Sequence, residues 1–409
     1  MKILACSDIH MGRVPSVGND TLVNGHSSWD AIVAKAIALQ VDVVALVGDV
    51  VEQEDAWLSV YYPLLAGLER LKRAGIKVIA VGGNHDWEIF PRLAKQSDAI
   101  TLLGLGGSWE ACQVEQVRFV GWSFPHSHVK ENPFLGFKQD LLANSPLTLG
   151  LLHTEIDVPS SRYAPVSQSD LASRQGMLWM LGHIHKPGKI KDLPAYYCGS
   201  PYALDVNEDA VHGVYLLQND GNTAWKEPVF IPLCPYRFER CSIEVTGSID
   251  QLDLQMRATQ TIRRFAAELN WEGKLYLRLV YTGYLATHLD LAKIFPFQEE
   301  TIEFFSREEE TDILLFTHWE DRTQLEVDLA QLAQGSGPDA LLARMLLDPE
   351  QLAELAKQYK LLDAQSFNSS AFSLLPHALL SSHDALESAR NAGMLVLRSL
   401  VMQKSGGAT

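Results

Sequence analysis

Five short blocks of donor side chains punctuate the first half of the chain: Asp8-Ile9-His10, Gly48-Asp49, Gly83-Asn84-His85-Asp86, His153 alone, and Gly182-His183-Ile184-His185. Taken singly each is weak. A D-x-H triplet arises by chance, Gly-Asp can open a capped helix, and Gly-Asn suits a turn. As a set, Asp8, His10, Asp49, Asn84, His153, His183 and His185 offer oxygen and imidazole donors for two divalent ions, with no thiolate among them. Asp49 is the natural bridge, a single carboxylate between two groups of neutral donors. Two such ions against two carboxylates leave an excess of about +2, which attracts phosphate and stabilises the charge of an in-line displacement by an activated water. A leaving alkoxide also needs a proton near neutral pH. His85 has the side chain for that, and Asp86 is placed to orient its ring.

Such residues converge only if the fold gathers them. Each block closes an apolar run: ILAC before Asp8, VVALV before Asp49, IKVIAV before Asn84, LTLGLL before His153 and MLWML before His183. Between the first three runs lie helix-like stretches, WDAIVAKAIALQ (29–40) and VYYPLLAGLERLKRAG (60–75), giving a βαβαβ pattern. In parallel α/β sheets function collects at the carboxyl ends of strands, so the five blocks can meet in space. The later runs VRFVGWSF, LTLGLLH, MLWMLGHIH, AYYCGSPY and HGVYLLQ have little helix between them and predict a second sheet packed on the first. IPLCPYRFER (231–240), with two prolines, marks a boundary. Three segments are expected: a catalytic domain over 1–235, an α+β module over 236–323 and a helical region over 324–409. In that last region Leu386, Ala389, Leu397, Leu400 and Val401 define the apolar face of an amphipathic helix.

Composition narrows the setting. The 409 residues carry a formal net charge of −16, which argues against strong sequence-independent DNA binding through Lys and Arg but leaves a metal-held phosphate open. Cys6, Cys112, Cys198, Cys234 and Cys241 are odd in number and unpaired in spacing, and read as small buried hydrophobes. No apolar run reaches the roughly 18 to 20 residues of a membrane span. MKILACSDIH lacks the shape of a signal peptide, so a cytoplasmic protein with no membrane association is expected.

The order D-x-H, G-D, G-N-H-D, H, G-H-x-H resembles the calcineurin-like metallophosphoesterase superfamily, and all five blocks lie within residues 1 to about 200. The resemblance implies a two-sheet sandwich flanked by helices. It implies one ion held by Asp8, His10, Asp49 and His185, a second by Asp49, Asn84, His153 and His183, and His85 as the catalytic acid. Manganese is the usual metal, with iron or zinc in some members. Within the superfamily the SDIHMGR opening, the block spacing, the α+β module and the helical tail look most like the DNA-repair nucleases of the Mre11 and SbcD type, with stand-alone relatives in the YhaO group. That similarity implies DNA as substrate, the module as a cap, and the tail as the docking site for a Rad50- or SbcC-like ATPase. Self-association as a homodimer stays open. A phosphodiesterase or phosphatase for small substrates such as cyclic nucleotides is the alternative, since the five blocks are common to the superfamily.

One position departs from the nuclease pattern. Where many of these nucleases have His three residues after the bridging Asp, this chain has Glu52. It is expected to be a solvated residue of a first helical turn beside Glu54 and Asp55. A carboxylate turned toward substrate would instead repel phosphate and disfavour exonuclease activity. His26, His126 and His128 read as surface-loop histidines, and Trp87 as packing.

Overall fold

The computed structural model describes residues 1–13, 23–52, 57–142, 147–219, 221, 224–296, 301–367 and 382–406. Glu54 and Asp55 lie outside them. The strands of the first two sheets are β1 (Lys2–Cys6), β2 (Val43–Val47), β3 (Lys77–Val81), β4 (Ile100–Leu102), β5 (Trp109–Val114), β6 (Val117–Trp122), β7 (Leu147–His153), β8 (Met177–Gly182), β9 (Gly188–Lys189), β10 (Ala195–Tyr197), β11 (Gly213–Gln218) and β12 (Val229–Pro232). One six-stranded sheet has the order β12-β11-β1-β2-β3-β4, the other β5-β6-β7-β8-β10-β9. The strands that lead into donor blocks are parallel to their neighbours: β1 to β2, β2 to β3, and β7 to β8. Their carboxyl ends therefore share one edge of each sheet.

Strand periodicity sorts the side chains into layers. Ile3, Ala5, Val43, Ala45, Val47, Ile79 and Val81 of the first sheet meet Phe119, Leu149, Leu151, Leu178, Met180 and Tyr196 of the second in one buried cluster. The alternate residues Leu4, Cys6, Val44, Leu46, Val78 and Ala80 face Trp29, Ile32, Leu64, Leu68 and Phe90 on the helices α1 (Gly25–Leu39), α2 (Trp57–Arg73) and α3 (Ile89–Ala94). On the far side of the second sheet Val120, Trp122, Leu152, Trp179 and Tyr197 are covered by Phe124, Phe134 and the short α4 (Gln168–Ala172), with Trp87 packed against them. The expected two-sheet sandwich with helices outside is the observed fold. Within these two sheets four strands are not evident from the sequence, β4, β5, β9 and β12, each at a sheet edge. Four of the five cysteines are buried and all are free, as small hydrophobes would be.

Beyond β12 a third sheet follows, of β13 (Tyr236–Glu244), β14 (Gly273–Leu285), β15 (Ile302–Glu308), β16 (Thr311–Phe316) and β17 (Glu320–Leu325). Two helices intervene, α5 (Gln251–Leu269) and α6 (Leu291–Ile294). The chain divides into two compact units, one of residues 1–240, 271–277 and 304–314, the other of 241–270, 278–303 and 315–409. The second contains α7 (Leu329–Leu332), α8 (Pro338–Leu347), α9 (Pro349–Phe367) and α10 (Ser382–Gly406), with a small core of Ala343, Leu346, Leu352 and Leu397. On α10 the buried face runs through Ala385, Ala389 and Leu397; Leu386 lies off it, 38% exposed, which narrows the expected stripe. Among the described residues no helix is long and apolar enough to cross a membrane.

Candidate dinuclear metal centre

The loops after β1 and β2 are zipped together by their backbones. Asp8 N donates to Gly48 O (3.1 Å), His10 N to Asp49 O (3.0 Å), Met11 N to Val50 O (3.0 Å) and Glu52 N to Met11 O (2.9 Å). Asp8, His10, Asp49 and His183 all adopt positive φ, at 51°, 47°, 50° and 94°. Left-handed backbone at a residue with a Cβ costs roughly 1–3 kcal/mol and persists only where surrounding structure imposes it. Its concentration here shows that geometry at these positions outranks local comfort. Two glycines make the necessary room: a Cβ on Gly83 would sit 2.2 Å from Asp49 Oδ1, and one on Gly48, itself at φ +81°, 2.5 Å from His153 Nδ1.

Three of the imidazoles are oriented in one sense. His10 Nδ1 lies 2.8 Å from Glu52 Oε2, His153 Nδ1 3.0 Å from Val47 O, and His185 Nδ1 2.6 Å from Glu208 Oε1. Each partner can only accept, so each Nδ1 carries hydrogen and each Nε2 faces the pocket. There the Nε2 atoms meet further acceptors: His153 Nε2 lies 3.2 Å from Asp49 Oδ2 and 3.1 Å from Asn84 Oδ1. His10 Nε2 is buried with no hydrogen-bond partner at all. Lone pairs turned toward one another are reconciled by a cation, and imidazoles tied at the far nitrogen to a carboxylate or carbonyl are the usual setting of metal-ligating His. The donors group accordingly, Asp8 with His10 and His185, and Asp8 with Asp49 and His153, the ligand atoms of each group within 4.8 Å of one another. Asn84 Oδ1 adds His183, at 3.2 Å from its Nδ1. All seven donors read from the sequence thus come together, and they fit a pair of divalent ions. Burial alone would raise Asp49, but when the imidazoles around it carry protons in place of a metal, His153 first, then His10 and His85, overcome it and hold the carboxylate well below its usual range.

The sequence profile of calcineurin-like phosphoesterases matches residues 1–187. Over those 187 of the 409 residues the chain is similar to that family. An uncharacterized metallophosphoesterase of Bacillus subtilis, YhaO, is 24% identical over 276 residues, and the match spans 61% of this chain and 61% of YhaO. Among solved structures, a dimetal phosphatase from Danio rerio is similar at 15% identity, with a TM-score of 0.34 over 53% of this chain and 92% of that one. Yfce, a phosphoesterase from E. coli, is similar at 16% identity, with a TM-score of 0.28 over 56% of this chain and 100% of that one. The phosphoesterase family works through metal-dependent hydrolysis at a dinuclear centre, the chemistry to which the donor set points.

The carboxylate that faces the His85 ring is Glu52, not Asp86. Glu52 Oε1 lies 2.8 Å from His85 Nδ1. Both oxygens of Asp86 are engaged elsewhere, accepting from Gly83 N and Val50 N at 2.7 Å each, so Asp86 braces the two loops. Burial, then the nearby Asp49, pushes the Asp86 carboxyl up to about 7. Glu52 is correspondingly no solvated helix residue. It is 22% exposed and bridges His10 and His85. The hydrogen bond that His85 Nδ1 donates to Glu52, with the charges of Asp49 and Glu52, raises His85 above the ordinary imidazole range despite burial. Glu208 escaped the sequence reading altogether. It lies beyond the family match, holds His185 through Oε1, and is itself fixed by Leu204 N on Oε2 at 2.8 Å. Of the remaining histidines, His26 is half-buried on the first turn of α1, while His126 and His128 are exposed.

Proposed function

We propose that the protein is a two-metal-dependent phosphodiester hydrolase, acting on DNA as an exo- or endonuclease of the Mre11 and SbcD type together with a Rad50- or SbcC-like ATPase. The observation that carries the hydrolytic reading is the His85 side chain. Its Nδ1 is held by Glu52 and its ring is 31% exposed beside the clustered donors, the placement a proton donor to a leaving oxygen requires. Asp8, His10, Asp49 and His185 would hold one ion, and Asp49, Asn84, His153 and His183 the other, with manganese the metal expected and iron or zinc as alternatives. Bound ions would neutralise the phosphate and activate water for attack. The chain's own part is to fix the donors, keep Asp49 ionised between imidazoles, and deliver the proton from His85 Nε2 as the ester bond breaks.

Several features support the DNA reading. The motif set is similar to that of the repair nucleases, and Glu52, whose carboxylate would repel phosphate if free, has both oxygens occupied by imidazoles. In this reading residues 1–235 catalyse, 236–323 cap and 324–409 dock the ATPase, in the cytoplasm. The second reading, a phosphodiesterase for small substrates such as cyclic nucleotides, draws on the net charge of −16. Assaying Mn²⁺-loaded protein in parallel on linear DNA, cyclic nucleotides and bis(p-nitrophenyl) phosphate separates them. Degradation of DNA is the expected result. Hydrolysis of the small diesters alone, with no cleavage of any DNA form with or without the partner, replaces the first reading by the second.

A further inference from the structure

Three rings stand in file beside the donor cluster. Tyr163 lies against the candidate ligand His183, with centroids 4.6 Å apart and planes at 37°, and His128 lies against Tyr163 at 5.9 Å and 30°. The shelf that carries them is built into the fold. Val129 and Tyr163 form a parallel bridge; Val129 N donates to Arg162 O (2.7 Å), Ala164 N to Val129 O (2.8 Å) and Glu155 N to Tyr163 O (3.2 Å). Thr154 Oγ1, next to His153, donates to Ala164 O at 2.6 Å. Val129, Ala164 and Val166 anchor the shelf in the buried cluster outside the second sheet, while Tyr163 stays half-buried and His128 exposed. Ser127 Oγ holds His128 Nδ1 at 2.9 Å.

The shelf's chemistry selects one kind of group. Its exposed cations, Lys130 and Arg162, are outnumbered by Glu131, Glu155 and Asp157 on the same two loops, so it offers ring surface with no excess of positive charge. Rigid aromatic surface of this kind binds planar rings by stacking and does so tolerantly, since every nucleobase has a π face. We propose that His128 and Tyr163 form a subsite for a nucleobase attached to the phosphate at the metal centre, on the His183 side, which makes nucleotide esters the substrate class. This rests on the phosphoesterase reading for its phosphate position.

The test compares AMP with ribose 5-phosphate, which share the phosphate and sugar, in equilibrium binding to the Mn²⁺-loaded full chain. AMP is expected to bind about tenfold more tightly. His128→Ala and Tyr163→Leu should bring that ratio close to one, and Tyr163→Phe should keep it. In His128→Ala, whose side chain is exposed, ribose 5-phosphate affinity should not change. Equal affinities in the parent protein, no binding of either ligand, or a ratio that survives both variants overturns the subsite. Diester hydrolysis measured alongside keeps the two readings apart. Hydrolysis without an AMP preference removes the subsite alone, whereas an AMP preference without hydrolysis of any diester removes the enzymatic reading and leaves the subsite.

Discussion

Glu52 gives one oxygen to each of two imidazoles: Oε1 lies 2.8 Å from His85 Nδ1 and Oε2 2.8 Å from His10 Nδ1. One carboxylate thereby sets the ring of the candidate acid and the ring of a candidate ligand. Because both Nδ1 atoms donate, both Nε2 atoms are left for work in the pocket. General acid catalysis contributes typically about 10² to 10⁴-fold, and the need for it grows with the basicity of the leaving group. His85→Ala is therefore expected to lose about that factor in kcat on DNA or a dinucleotide, whose leaving group is an alkoxide. The loss should be much smaller on bis(p-nitrophenyl) phosphate, whose leaving group needs little protonation. Equal losses on both substrates would remove His85 as the acid.

The same pair sets a pH limb. His85 is raised above the ordinary imidazole value, first by the Glu52 hydrogen bond, against burial, with Asp49 adding to it. An acid is active while protonated, so kcat/KM on an alkoxide-leaving substrate is expected to fall as pH rises through the His85 pKa, above the unperturbed value of about 6.5. Glu52→Gln removes the first cause, and the alkaline limb should move to lower pH. A profile from pH 5 to 10 whose limb stays in place in the variant would show that Glu52 does not tune this proton.

Glu208 bears on the metal rather than the proton. Its Oε1 lies 2.6 Å from His185 Nδ1, and Leu204 N fixes its Oε2 at 2.8 Å. Loss of such a partner frees the ligand's ring and tautomer, and typically weakens metal binding by about 10 to 100-fold. Calorimetric titration of Glu208→Ala with Mn²⁺ should show a Kd raised by about that factor. A Kd equal to the parent's would mean that His185 is held by its backbone setting alone.

What the sequence disclosed follows from what strands do. Each of the seven donors lies at or within four residues of the end of a β-strand, and strand ends are fixed by ladder pairing, which brings residues far apart in sequence to one edge. Side chains that act across space gave no such signal. Glu208 reaches His185 from 23 positions away, from a loop beyond β10. Asp86 reads as the partner of His85 because it is adjacent, but in a turn successive side chains diverge, and its oxygens meet Gly83 N and Val50 N. Glu52 reads as solvated because charge near other charges suggests surface until a buried imidazole is seen opposite. Among strands, β9 has two residues, β4 three and β12 four ending in proline, too short for periodicity to register.

The layer outside the first sheet has a stability test of its own. Trp29 of α1 is fully buried, its Nε1 donates to Pro63 O of α2 at 3.1 Å, and the ring lies over Gly67. A Cβ on Gly67 would stand 2.1 Å from Trp29 Nε1 and 2.6 Å from Cε2. Two effects oppose each other in Gly67→Ala. Helix propensity favours Ala over Gly by about 0.8–1.0 kcal/mol, and overpacking a filled site costs about 1–3 kcal/mol. The clash is with a ring locked by its hydrogen bond and by the β-sheet beneath, so overpacking should win, with a net loss of up to about 2 kcal/mol in urea unfolding. In a Trp29→Phe background, the smaller ring leaves the space that the added methyl needs. There the same substitution should become neutral or stabilising, a coupling between the two sites that a double-mutant cycle reads directly. Additive effects in that cycle would place the cost of the added methyl elsewhere than against Trp29.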